Sequence, residues 1–331
     1  MKEDARSIPQ CLERALLVTE RFFPYEAELM ERTLDKVLLG SISENRKANA
    51  WNGSSLTRGG FPLEFAFTFP ESGIRYTTEV NPPSNDKHDC LMLANDFILG
   101  LGSVELPEEM ISSLKKIQDR SYLKFGTWLG CRHSREKTVH KLYIEVPHSG
   151  WDESIRYFKQ EASCSMNLDD MGRPCMIGIC PSSRSSELYF RRPRLDPSDI
   201  FSIMIRMGMK YDYHDFLGAI EESYGRPIYW KLPGEDYGIS ISLIDGEPLT
   251  FSVFAFPEIL FGSSSQTRKA LISFAERNGL SYQYYAAFSE PLINDRDGKN
   301  AHGIIAFSMT KGEPPGICIG LGPPRPLSGV T

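Results

Sequence analysis

Short segments in which apolar and polar residues alternate constrain the fold of this chain more than any other feature. In residues 63–69 (LEFAFTF) every odd position is apolar, whereas Glu64, Ala66 and Thr68 fall on the other side. The next segment, 74–79 (IRYTTE), repeats the period with Arg75 on its polar side. Successive side chains of a β-strand point to opposite faces. The pattern therefore predicts strands with one apolar and one polar face.

The alternating segments come in pairs, and helix signals stand between the pairs. The predicted strand pairs are 62–69 with 74–80, 122–129 with 139–146, 175–180 with 187–191, 238–244 with 249–256, and 282–288 with 302–309. The predicted helices cover 24–39, 90–101, 107–117, 197–208, 213–224 and 264–278. This loose helix-strand-strand repeat has no linker rich in Pro, Gly or Ser, so we expect a single domain over 1–331.

The polar strand faces decide between architectures. A parallel (β/α)8 barrel packs both strand faces and would read as Val/Ile/Leu runs. One-faced helices that cover the apolar strand faces leave the polar faces to line the other side of the sheet. We therefore predict an α+β fold, a ten-stranded antiparallel β-barrel with a polar lumen ringed by α-helices. The alternative is an open antiparallel α+β sheet with its polar face in water.

Composition excludes several classes of protein. The net charge of −6 is spread along the chain, with no long Lys/Arg run, so no nucleic-acid partner is expected. No apolar stretch is long enough to span a membrane, and residues 1–10 lack the core of a signal peptide, so we expect a cytoplasmic protein. The seven scattered cysteines and six histidines show no zinc spacing. The sequence leaves the oligomeric state open.

The predicted lumen carries groups suited to a diphosphate. Arg75, Lys141 and Arg191 fall on polar strand faces, and the hydroxyls of Tyr143 and Tyr189 are interleaved with them. Arg and Lys bind phosphate oxygens more strongly in a water-poor cavity. A diphosphate that leaves an allylic carbon gains negative charge as the C–O bond breaks, so such donors would stabilise the transition state. Taken singly, each basic residue is more often part of a solvated strand face or an ion pair than a ligand contact, so the prediction depends on their combination.

Aromatic residues also alternate onto the predicted lumen face, with the hydroxyl of Ser252 between two of them. They are Trp128, Tyr143, Tyr189, Phe254 and Phe256. Aromatic faces attract cations and exclude the water that would quench an allylic cation. Each of these rings, taken singly, is also compatible with an ordinary core position.

Glu64 lies in the middle of a predicted strand, flanked by apolar residues and facing the lumen. There its carboxylate would accept a hydrogen bond from an indole N–H and raise the electron density of the ring, or take up a proton. The alternative is an ion pair with a basic residue of the lumen.

At these strand pairs the sequence resembles the ABBA-fold aromatic prenyltransferases, whose prenyltransferase (PT) barrel has ten antiparallel strands. Residues 56–65 (LTRGGFPLEF) with 74–79 resemble a segment of the dimethylallyltryptophan synthase branch. This resemblance implies that Glu64 is the catalytic residue that holds the indole and that Arg75 binds diphosphate. It also implies that Lys141 and Tyr143 form a Lys-x-Tyr diphosphate pair, with Tyr189 on a further such strand. The implied reaction transfers a dimethylallyl group from dimethylallyl diphosphate to an indole alkaloid in secondary metabolism.

Some positions depart from the pattern of that family. Glu187 stands where the fungal enzymes carry Lys, so Arg184 or Arg191 would supply that charge. The late strands show Ser252 and Phe254, then His302 and Ser308, instead of glutamine and tyrosines. The smaller size is similar to that of bacterial members, including those that prenylate hapalindole- and ambiguine-type alkaloids.

The resemblance also bears on metal use. In phenol-modifying relatives an Asp near this strand position helps to bind Mg²⁺, whereas the indole branch has Glu and needs no metal. Glu64 therefore implies catalysis without Mg²⁺, metal ligands or a cofactor. Residues 169–173 (DDMGR) lack the third acid of an isoprenyl synthase motif. The alternatives are a phenol or phenazine prenyltransferase, or a non-catalytic carrier barrel for an anionic apolar ligand.

Overall fold

Ten antiparallel strands close into one barrel in the computed structural model, which describes residues 10–39, 53–160, 162–293 and 301–324. The strands are β1 Leu63–Phe69, β2 Ile74–Glu79, β3 Thr127–His133, β4 Thr138–Glu145, β5 Arg173–Cys180, β6 Ser185–Arg192, β7 Tyr237–Ile244, β8 Glu247–Ala255, β9 His302–Thr310 and β10 Gly316–Leu321. Each strand pairs with its neighbours in the chain, and β1 pairs with β10 to close the ring. The predicted barrel is confirmed, and the open-sheet alternative is wrong.

Helices surround the barrel. They are α1 Gln10–Phe22, α2 Pro24–Leu34, α3 Cys90–Gly100, α4 Glu108–Gln118, α5 Trp151–Gln160, α6 Pro197–Arg206, α7 Tyr213–Tyr224, α8 Pro257–Leu260, α9 Ser264–Arg277 and α10 Gln283–Phe288. The six predicted helices are present, whereas α1, α5, α8 and α10 were not predicted. No helix in the described ranges is both long and apolar enough to cross a membrane.

The apolar strand faces point outward and pack beneath the helices. The rings of β1 illustrate this, because Phe65, Phe67 and Phe69 are at most 2% exposed. The centroid of the Phe67 ring lies 4.9 Å from that of Tyr284 and 4.9 Å from that of Phe288, both on α10. Burial of each such ring stabilises the fold by about 1.5–3 kcal/mol. The hydrophobic core is thus the layer between the sheet and the helices.

The last predicted strand pair is wrong. Residues 283–288 form helix α10, and β9 pairs instead with Gly316–Leu321. The aromatic-rich sequence YQYYAAF is typical of a strand, yet Tyr284, Tyr285 and Phe288 are spaced so that one helix face buries all three. The true tenth strand, GICIGL, carries Gly and Cys on its inner face, so it lacks the polar alternation of the other strands.

The predicted start of β3 is also displaced. Residues 122–126 form a loop because the Glu145 carboxylate accepts hydrogen bonds from the backbone N–H groups of Lys124, Phe125 and Gly126, at 3.0, 2.7 and 2.8 Å. The strand begins at Thr127 and runs to His133. The alternation that starts at Trp128 therefore continues through Gly130 to Arg132.

Truncating Phe67 to alanine should lower the free energy of unfolding by about 3–5 kcal/mol, because the cavity would lie between β1 and α10. Chemical denaturation measures this change. Tyr122→Ala is the control, since that side chain is 92% exposed, and it should leave the unfolding midpoint within error. A Phe67→Ala protein as stable as the wild type would contradict this packing.

Candidate active site

The polar strand faces point into the lumen and bring several of the predicted residues together. Cross-strand partners lie on the same face of a sheet. Thr77, which shares the inner face of β2 with Arg75, is opposite Glu64 on one side and Gly130 on the other. Gly130 in turn is opposite Lys141. Glu64, Arg75 and Lys141 therefore face one enclosed space.

The Glu64 carboxyl group is buried against backbone and has no hydrogen bond or ion pair with another described residue. Gly303 and Gly320 make room for it: a Cβ atom on Gly320 would lie 2.6 Å from the Glu64 Cδ atom. Burial raises the pKa of Glu64 to about 8, because the charged form loses hydration without gaining a partner. Among the described residues no Arg or Lys forms an ion pair with Glu64.

The side chain of Lys141 is already partnered. Its Nζ donates to the Glu187 carboxylate and, at 3.2 Å, to the Tyr189 hydroxyl. The Ser240 hydroxyl donates to the other oxygen of Glu187. Burial alone would raise the pKa of Glu187, but the charge of Lys141 and these hydrogen bonds lower it below its ordinary value. This group of residues is therefore an ion pair without net charge.

Aromatic rings stand around this ion pair. The Tyr189 ring centroid lies 6.2 Å from that of Tyr143 and 5.5 Å from that of Phe254. The Nζ of Lys141 lies 5.1 Å from the Tyr143 centroid. Gly130 makes room for the Tyr143 ring, since a Cβ atom there would lie 2.6 Å from it. The rings form a wall that can stabilise a cation through cation–π interactions.

An arginine that the sequence analysis missed lies beside Arg75. Arg132 is directly opposite Arg75 in the β2–β3 register. The Arg75 Nε is buried without a hydrogen-bond partner, and Arg132 donates one long hydrogen bond to the Ser72 hydroxyl, 3.5 Å. Neither guanidinium has a carboxylate partner among the described residues. The predicted strand ends at residue 129. A strand extended to His133 would place Arg132 on the same face as Trp128 and Gly130, so the alternation itself contains the signal for Arg132.

Hydroxyl groups cover the inner face of β7, β8 and β9. Two cross-strand rows carry them: Ser240, Ser252 and Ser308 in one, and Ser242, Thr250 and Thr310 in the other. The Thr250 and Thr310 hydroxyls are hydrogen-bonded to each other at 2.9 Å. Ser252 thus lies in a neutral polar wall that can hydrogen-bond a ligand without contributing charge.

Two predicted diphosphate ligands lie apart from this cluster. The Arg191 side chain is 63% exposed at the barrel rim and binds the Asp236 carboxylate, with an Nε to Oδ1 distance of 3.0 Å. Arg184 is exposed in the β5–β6 turn, where its backbone is left-handed with φ of 50°. The structure brings neither guanidinium to the Lys141–Glu187 pair, and both remain predictions as ligands.

The remaining predicted residues lie near the ends of the lumen or outside it. Trp128 stacks on Phe125 with a centroid distance of 3.7 Å. The Phe256 ring lies 4.9 Å beneath the guanidinium of Arg58. His302 faces outward, where its Nε2 is 2.9 Å from the Tyr285 hydroxyl oxygen, so it does not replace a lumen ligand.

Comparisons with known proteins identify the fold. No protein-family model matches the chain, and no curated protein matches it either. Solved structures match over nearly the whole length. The apo form of the prenyltransferase PriB has a TM-score of 0.74 at 14% identity, covering 95% of this chain and 94% of that one. The 5-dimethylallyltryptophan synthase from Streptomyces coelicolor, in complex with DMASPP and Trp, has a TM-score of 0.73 at 12% identity, covering 97% of both chains.

A further solved structure extends this likeness. AnaPT from Neosartorya fischeri has a TM-score of 0.66 at 11% identity, covering 96% of this chain and 93% of that one. The chain therefore has the fold of the ABBA aromatic prenyltransferases, and the resemblance seen in the sequence is confirmed.

Removing the charge at Glu64 should change the pH dependence of stability. The folded-state pKa of about 8 exceeds the ordinary 4.5, so this carboxyl group stabilises the folded protein least above pH 8 and most below pH 4.5. Glu64→Gln should therefore raise Tm relative to the wild type at pH 9 and have little effect at pH 5. The exposed Glu136→Gln change is the control. An equal Tm difference at both pH values would contradict the buried, unpartnered carboxyl.

Proposed function

We propose that this protein is an aromatic prenyltransferase that transfers a dimethylallyl group from dimethylallyl diphosphate to an indole-containing small molecule. The observation that carries the proposal is the unpartnered Glu64 carboxyl, which shares one lumen with Arg75 and Lys141. An acceptor site and an anion site thus share one lumen with a wall of aromatic rings.

In the first step, the allylic C–O bond breaks and its electron pair leaves with the diphosphate. Arg75, assisted by Lys141 and the hydroxyls of Tyr143 and Tyr189, stabilises the negative charge that develops on the leaving oxygen. These donors are held by strands, so little reorganisation is needed during the reaction. The arrangement lowers the barrier to ionisation without a bound metal ion.

The allylic cation left behind is protected by rings. Tyr143, Tyr189 and Phe254 form a connected aromatic surface beside the diphosphate donors. Such faces stabilise a cation by about 0.5–2 kcal/mol each and exclude water that would add to it. We propose that Trp128 and Phe256 complete the shield toward the ends of the lumen.

Glu64 orients the acceptor. Its carboxylate accepts a hydrogen bond from the indole N–H, which raises the electron density of the ring and stabilises the positive charge that forms on it. A ring carbon attacks the allylic cation, and a new C–C bond forms. The proton on that carbon is then lost to the released diphosphate, which restores aromaticity and balances the reaction.

The solved structures support this choice of substrates. PriB has been determined as a ternary complex with L-tryptophan and dimethylallyl thiolodiphosphate, and its TM-score to this chain is 0.74 at 13% identity. A carboxyl group without a cationic partner suits a neutral N–H donor, because an ion-paired Glu64 would be less available to it. The L-tryptophan bound in the PriB complex favours an indole over a phenol as the acceptor.

The direct test is incubation of the protein with dimethylallyl diphosphate and a panel of indoles, phenols and phenazines, followed by mass spectrometry. We expect a product about 68 Da heavier than the indole substrate, because a C₅H₉ group replaces one hydrogen atom and adds the mass of C₅H₈. Binding of both ligands without any product would favour a carrier barrel, and product from phenols alone would contradict the indole assignment.

Glu64→Gln should reduce kcat/KM for an indole on the order of 100-fold, because the amide cannot carry the negative charge that stabilises the ring cation. In the wild type, kcat/KM should fall as pH decreases below about 8, where Glu64 becomes protonated. The variant should lose this acidic limb. An unchanged pH–rate profile would remove Glu64 from the mechanism.

Chelation of metal ions should leave the rate unchanged within error, since fixed cations of the barrel neutralise the diphosphate in this proposal. Initial rates with excess EDTA and with added Mg²⁺ test this. A large loss with EDTA that Mg²⁺ restores would contradict metal independence while leaving prenyl transfer intact.

A further inference from the structure

We infer that the diphosphate is anchored chiefly by a pair of lumen arginines, Arg75 and Arg132, and that Glu187 withdraws Lys141 from the role of principal anion ligand. This inference rests on the proposed function and assigns a further substrate-binding residue, Arg132. We call Arg75 and Arg132 together the arginine pair.

The register of the sheet places the arginine pair side by side. Arg75 and Arg132 are directly opposite each other on β2 and β3, and directly opposed side chains have Cβ atoms about 4.5–5.5 Å apart. Like charges in this arrangement repel each other. A carboxylate between them would remove the repulsion, but neither guanidinium has one among the described residues.

Burial adds to the cost of this arrangement. Arg132 is half-buried, and both burial and the charge of Arg75 lower the pKa of its guanidinium. The Arg75 Nε–H is buried without an acceptor, which leaves a donor unsatisfied. An anion with several oxygens would relieve the repulsion and satisfy this donor at once. Guanidinium groups match phosphate oxygens through paired N–H bonds.

Lys141 differs from the arginine pair because it has an anionic partner. Its Nζ contacts the Glu187 carboxylate and the Tyr189 hydroxyl, so its charge is compensated before any ligand arrives. A carboxylate at this position would also repel a diphosphate. The uncompensated positive charge of this part of the lumen therefore lies on β2 and β3.

The arginine pair is still close enough to serve the proposed reaction. Arg132 is opposite Val139, two residues from Lys141 on the inner face of β4. Such diagonal neighbours are about 7–8 Å apart. The charges of Arg75 and Lys141 both act to lower the pKa of the Tyr143 hydroxyl, which burial raises. A diphosphate held by the arginine pair would therefore lie beside Tyr143, next to the aromatic wall.

Calorimetric titration with inorganic diphosphate tests the assignment, using the wild type and four variants of the full chain. Arg132→Gln should weaken binding about 10-fold to 100-fold, as expected for loss of charge-assisted hydrogen bonds. Arg132→Lys should give an intermediate loss of diphosphate affinity, because lysine keeps the charge but lacks the paired N–H donors of a guanidinium group. Glu187→Gln should tighten binding, because Lys141 is released and a repelling charge is removed.

Arg135→Gln is the matched control, since Arg135 is exposed in the turn after β3, and it should bind diphosphate as the wild type does. Far-UV circular dichroism and Tm establish that each variant is folded. Wild-type affinity in Arg132→Gln, or weaker binding in Glu187→Gln, would overturn the inference. Prenylation assays on the same samples separate the two proposals. The expected binding pattern without an indole product leaves the anion site in place and contradicts the proposed function.

Discussion

Closure of the sheet is the constraint on which the rest of this structure depends. Most strands have one apolar and one polar face, and helices bury the apolar faces in a layer outside the barrel. Once β1 pairs with β10, the polar faces have only the lumen to occupy. Charged and hydroxyl-bearing side chains from strands distant in sequence are thereby held close together, on backbone that is rigid because both of its edges are hydrogen-bonded.

Within that lumen, the pairing of charges determines what each residue can do. Lys141 and Glu187 compensate each other, so their effect on a ligand is largely that of polar, neutral groups. Glu64 and Arg75 have no such partners among the described residues. Each can therefore still form charged hydrogen bonds with a ligand. The chemistry proposed for this protein follows from that difference, since an unpartnered carboxyl group and an unpartnered guanidinium select an N–H donor and an anion respectively.

The sequence predicts the strand faces well, because alternation is a local property of each segment. It predicts the location of Glu64 and Arg75 for the same reason. It does not predict the Lys141–Glu187 pair, since their contact spans β5, where Gly178 leaves space for the Lys141 side chain: a Cβ atom there would lie 2.5 Å from the Lys141 Cε. Such pairing depends on strand order and register, which no single segment contains. The helix at 283–288 was missed because its aromatic residues suit either structure.

The central claim is that an allylic diphosphate and an indole meet in this lumen between Arg75 and Glu64. A crystal structure with dimethylallyl thiolodiphosphate and an indole acceptor tests it most directly. The account predicts diphosphate oxygens within hydrogen-bond distance of Arg75 and an indole N–H directed at the Glu64 carboxylate. Ligands bound outside the barrel, or an indole whose N–H points away from Glu64, would contradict it.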